Sequence, residues 1–184
     1  MKATPLLLTM ALLTAGPAAA QTTPPAAKPP PACATPEYRQ FDFWVGRWDV
    51  YQTGQDKLVA HSLIERLYNG CAIRENWMPV QGGGGGSLNN YVAGEKGWRQ
   101  TWLDSTGARV EFSGGWDGKA MVLTGPWAGV LGPGKDALVR MTYTRDAQGW
   151  VRQFGEASTD GGKTWTVNFD LTYRPSSGVT PLGG

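Results

Sequence analysis

Between Phe41 and Tyr173 the chain has almost no helical periodicity. Short runs of β-branched and aromatic residues follow one another instead, each bounded by a turn signal. Ten such runs can be read, at residues 41–52, 57–68, 71–78, 87–93, 98–104, 109–113, 119–124, 137–144, 150–157 and 165–173. Asn69-Gly70 is a two-residue hairpin signal, and Asp117-Gly118 and Asp146-Ala147-Gln148-Gly149 are further turns. Strands this short, joined this closely, pair with their sequence neighbours. The expected fold is all-β, a single antiparallel up-and-down barrel of about ten strands.

The two chain ends read differently. Lys2, the apolar run Leu6 to Leu13 and Ala18-Ala19-Ala20 before Gln21 have the layout of a secretory signal peptide over residues 1–20. Residues 21–36 are expected to form a disordered Pro/Ala-rich spacer, 37–175 the barrel domain, and 176–184 a flexible tail. No later apolar run approaches the ~18 residues of a membrane helix. The expected location is periplasmic or secreted. The formal net charge is +2 and no charge run is present, so nucleic acid is not an expected partner. The two cysteines, Cys33 and Cys71, are expected to pair in an oxidising compartment. Two unpaired thiols are the alternative. No Cys/His spacing suits a metal, and no cofactor is expected.

Alternation assigns faces within the strands. Trp165, Val167, Phe169, Leu171 and Tyr173 share one face of the last run. Other runs mix chemistry on each face. Ile73, Glu75 and Trp77 alternate together, as do Ser87, Asn89 and Tyr91, and Trp98, Gln100 and Trp102. A barrel filled with aliphatic side chains has no use for such rows. They fit an interior that contains a polar or solvated cavity.

Gly46-Arg47-Trp48 resembles the G-x-W that opens the lipocalins and related calycin barrels. The resemblance implies that Trp48 closes one barrel end and that a basic residue of the last strand, Arg174, packs over it, worth about 0.5–2 kcal/mol. The wider runs Phe41 to Val50, Gly70 to Trp77, Ser87 to Tyr91 and Trp98 to Asp104 resemble an exported bacterial family of unknown function with a lipocalin-like β-barrel. That resemblance spans Cys33 to Arg174 and implies a fold rather than an activity. The run Gly82 to Gly86 is longer than the family pattern leads one to expect. It lacks a lysine and a following helix, so it is no phosphate loop, and it reads as a linker or flap.

Several residues invite a chemical role. Ser158-Thr159-Asp160-Gly161-Gly162-Lys163-Thr164-Trp165 matches an Asp-box, whose physics is a turn held by Asp160 with Trp165 tucked beneath it. Asp-boxes recur in sialidase propellers, but one copy in a short chain makes no propeller. His61, the only histidine, is in principle an axial haem ligand and more simply a strand residue. Glu75, Asp104 and Glu156 are strand carboxylates, and Glu75 stands out by sharing a face with Ile73 and Trp77. Glu75, Trp77, Asn89, Tyr91, Gln100, Trp102 and Gln153 form the candidate ligand site, since cavities combine apolar walls with a few polar anchors. Three functions remain open: binding a small, partly apolar molecule, an enzyme with Glu75 as general acid or base, and a structural or interaction module with a filled barrel.

Overall fold

A computed structural model describes residues 32–176. The expected signal peptide, the spacer up to residue 31 and the tail beyond residue 176 lie outside the described residues. Among the described residues ten strands close into one antiparallel barrel. They are Gly46–Gln52 (β1), Leu58–Leu67 (β2), Ala72–Pro79 (β3), Gly85–Val92 (β4), Gly97–Asp104 (β5), Arg109–Trp116 (β6), Met121–Trp127 (β7), Ala137–Arg145 (β8), Val151–Ser158 (β9) and Thr166–Pro175 (β10). Each strand pairs with its sequence neighbours, and β1 pairs with β10 to close the ring. Closure removes the unpaired edges that an open sheet exposes. The expected up-and-down barrel is thus the observed fold.

The first run is not one strand. Phe41 precedes a 3-10 turn over Asp42–Trp44, and the strand starts only at Gly46. The turn folds Phe41 and Trp44 across one barrel end, where both are fully buried. Phe41 stacks on Trp44 and meets Trp98 and Tyr143 edge-on, with ring centroids 4.9, 5.7 and 5.0 Å away. The Trp48 indole N–H donates to the Trp44 carbonyl at 2.8 Å. Gly46 makes room for this arrangement, because a Cβ there would lie 3.1 Å from the Trp48 ring.

Three further expectations change. Arg174 does not cover Trp48. Tyr173 points inward, so its neighbour points outward, and the Arg174 guanidinium lies 4.2 Å from the Tyr51 ring centre and 4.8 Å from that of Trp150. The glycine run is not a plain linker either. Gly85 and Gly86 are paired residues of β4, and a Cβ on Gly86 would come 2.5 Å from the Glu75 carbonyl oxygen. Glycine lets the backbones approach there. In β10 the alternation breaks at Asn168, where the register shifts between Val167 and Phe169. The bulge sends Val167 outward, opposite Glu156, while Phe169 points inward opposite Gly155.

Cys33 and Cys71 form a disulfide. It ties the segment before the plug to the turn that leads into β3, and the Arg39 guanidinium donates to the Gly70 carbonyl beside it. The bridge spans a sequence separation of 38 residues. The chain-entropy relation gives a loop of that size about 4 kcal/mol. Replacing both cysteines by serine should lower the unfolding free energy by roughly 3–4 kcal/mol in a urea titration. An unchanged midpoint would mean that the plug segment docks without the covalent tie.

Candidate functional site

Antiparallel partners point to the same side of a sheet, so the register places whole rows of side chains inside the barrel. One row runs from Ile64 through Glu75 and Ser87 to Trp102. The next runs from Ile73 through Asn89 and Gln100 to Phe112. On the far wall Met121, Tyr143, Gln153 and Leu171 follow one another across β7 to β10. Because Phe41 and Trp44 fill one end, these rows leave space towards the other.

That space is a cavity of about 190 Å³. Trp77, Trp102, Phe112, Trp127, Phe169 and Leu171 supply its apolar wall. Glu75, Gln100, Tyr143, Gln153 and Tyr173 supply a polar patch, with Met141 among them. Of the residues expected to bind a ligand, the structure brings Glu75, Trp77, Gln100, Trp102 and Gln153 to this one cavity. Asn89 is fully buried one layer behind, where its side-chain oxygen accepts from Gln100 at 2.6 Å. Tyr91 is not at the cavity. It faces inward at the plugged end, packed between Tyr38 and Trp98 with ring centroids 5.2 and 6.3 Å away.

The polar groups hold one another. The Ser87 hydroxyl donates to Glu75 Oε2 at 3.0 Å, and the Ser62 hydroxyl to Oε1 at 3.3 Å. Asn89 Nδ2 donates to Ser87 Oγ at 3.0 Å and to the Ile73 carbonyl at 3.1 Å. The Tyr173 hydroxyl donates to Gln153 Oε1 at 2.7 Å and lies 3.5 Å from Glu75 Oε1. Gln153 Nε2 donates in turn to the Tyr143 hydroxyl at 2.9 Å, which Gln100 also reaches. The chain Glu75–Ser87–Asn89–Gln100–Tyr143–Gln153–Tyr173 returns to Glu75. A buried polar set is tolerated only when its members are satisfied in this way.

Burial dominates the acid chemistry of Glu75. Loss of hydration raises its pKa from 4.5 to about 7, against the opposing pull of the Ser87, Ser62 and Tyr173 hydroxyls. Burial also pushes the phenols of Tyr143 and Tyr173 well above the usual tyrosine range, so both stay neutral. The other strand carboxylates do not share this setting. Glu156 is held by Arg140 at 2.8 Å, and Asp104 caps the β5–β6 turn through the Thr106 backbone N–H at 2.9 Å.

The remaining sequence candidates lie outside the cavity. His61 is half exposed on the outer wall, with Nδ1 2.7 Å from Asp49 Oδ1, so it does not face a haem-sized space. In the β9–β10 turn Asp160 accepts from the Lys163 and Thr164 backbone N–H groups at 3.0 and 2.9 Å. The Trp165 indole N–H donates to the Gly162 carbonyl at 3.0 Å, and Arg140 stacks on that ring. The Asp-box is a hairpin closure in this barrel. Sequence reasoning missed Tyr143, Tyr173, Ser62 and Trp127. The inward alternation Val139, Met141, Tyr143 was the signal available for the first of these.

Compared with protein-family models and with curated proteins, the chain matches none.

Glu75 gives a pH prediction. Its folded-state pKa lies above the ordinary value, so the folded protein holds this proton more tightly than the unfolded chain does. The stabilisation is complete below about pH 4.5 and is lost as pH rises through about 7. A rise of that size corresponds to about 3 kcal/mol. The stability difference between wild type and Glu75→Gln, from urea titrations at pH 4.5 and pH 8, should shift against the wild type by that order. A pH-independent difference would place Glu75 in contact with solvent.

Proposed function

We propose that this chain is an exported, lipocalin-like binding protein that holds a small, partly apolar molecule in its barrel cavity. The observation that carries the reading is a cavity walled by aromatic rings with one hydrogen-bonding patch. This is the lining that ligand sites use to combine affinity with orientation. Export is supported by the residue pattern at positions 1–20 and by the Cys33–Cys71 bridge.

The volume restricts the occupant. A cavity of about 190 Å³ is somewhat larger than the ~150 Å³ engineered cavity that takes up benzene. It lies below the ~300–1,000 Å³ of pockets for drug-sized ligands. One ring with a short substituent fits, and a long acyl chain or a tetrapyrrole does not. Specificity then comes from the few groups that the ligand can satisfy in the polar patch.

A second reading has its own support. Glu75 faces the cavity with a pKa of about 7, which suits a general acid or base at neutral pH. It has no second carboxyl group or nucleophile beside it in the lining, so the binding role is preferred.

Native mass spectrometry of the protein purified from its own host should detect a retained small molecule. Leu171→Trp, which places an indole in the cavity at a packing cost of about 1–3 kcal/mol, should abolish retention. Retention by a folded Leu171→Trp protein would locate the ligand elsewhere and defeat the reading. Wild-type protein that is bare and takes up no small aromatic compound would defeat it equally.

A further inference from the structure

The cavity carries an imbalance of charge. Its lining includes one carboxyl group, Glu75, and no lysine, arginine or histidine. Carboxylates on the outer wall have cationic neighbours: Glu156 pairs with Arg140 at 2.8 Å and Asp170 with Arg152 at 2.6 Å. Glu75, buried in the cavity wall, has none. Its partners Ser62, Ser87 and Tyr173 are neutral hydroxyls. The titratable groups that face it are the phenols Tyr143 and Tyr173, and neither supplies positive charge. A buried carboxylate without a counter-charge is expensive to ionise. A ligand that brought the missing charge would remove that cost.

The walls suit the same ligand. Indole faces attract cations more strongly than other aromatic rings, and aromatic cages are a recurrent means of holding ammonium groups. Trp77 and Trp102 line the cavity together with Glu75, and Trp127 lines it too. A negative charge on a ligand would meet the Glu75 carboxylate and the negative faces of these rings.

We propose that the preferred ligand is a small organic cation, a primary or methylated amine on an apolar body, whose ammonium group pairs with Glu75 among the tryptophan rings. This rests on the binding role argued above and narrows its substrate class. Where Glu75 is protonated before binding, the ammonium ion displaces that proton to solvent. The complex then holds one carboxylate and one ammonium.

Three probes of nearly equal size separate the charge states: benzylamine, benzyl alcohol and benzoate. Each is titrated into the mature full-length protein at pH 8, with tryptophan fluorescence and calorimetry as readouts. Benzylamine should bind at least tenfold more tightly than benzyl alcohol, and benzoate should not bind. In wild-type protein benzylamine affinity should rise more than tenfold between pH 5.5 and pH 8, as Glu75 ionises while the amine stays charged. Glu75→Gln should lose most of the preference for the amine over the alcohol and its pH dependence. Benzyl alcohol matching benzylamine, or a benzylamine affinity independent of pH, would overturn the cation assignment and leave the binding role standing. Failure of all three probes to bind would overturn both. The wild-type pH series needs no substitution, so the test does not depend on the variant folding.

Discussion

The structure depends on how one barrel end is closed. Phe41 and Trp44 enter from a 3-10 turn, stack on each other and pack against Trp98, Tyr143 and Tyr173. Trp48 ties the turn to the first strand through the Trp44 carbonyl. Large aromatic side chains bury the most surface per residue, so a few of them can fill the mouth of a barrel. The disulfide fixes the segment that leads into this plug. With one end filled by rings, the polar rows further along the barrel enclose a cavity rather than a channel.

The second constraint is the burial of a carboxyl group beneath that plug. Glu75 is in the interior because the register of β2, β3 and β4 sets it opposite Ile64 and Ser87. It stays there because hydroxyls on three strands reach it. An aliphatic residue would pack at this position without the desolvation cost. Retaining an acid in a wall of indoles is the feature that turns a filled barrel into a candidate site. Gln100 bonds Asn89 directly and Gln153 joins them through the Tyr143 hydroxyl, so the polar interior acts as a single connected network.

Much of this was legible in the residues. The turn signals gave the number of strands, and the mixed rows on residues 71–78, 87–93 and 98–104 pointed to a polar interior. Five of the seven expected ligand residues line one cavity. The misses share physical causes. Alternation reports which face a side chain takes, not how far along the barrel axis it sits, so Tyr91 faces inward yet belongs to the plugged end. A single bulge at Asn168 reverses the sense of alternation and exposes Val167. Arg174 follows an inward Tyr173, which sends its guanidinium to Tyr51 and Trp150 instead of Trp48. The glycine run lacked side chains to read, and its role came from the backbones it lets approach.

Glu75 is an acid buried in an aromatic cavity without a cation in its lining. Side-chain carboxyl carbon-13 resonances, recorded across a pH titration, measure this directly. The Glu75 resonance should titrate near pH 7 in the free protein and move to lower pH when benzylamine is added. A Glu75 that titrates near 4.5, with or without the amine, would contradict the account.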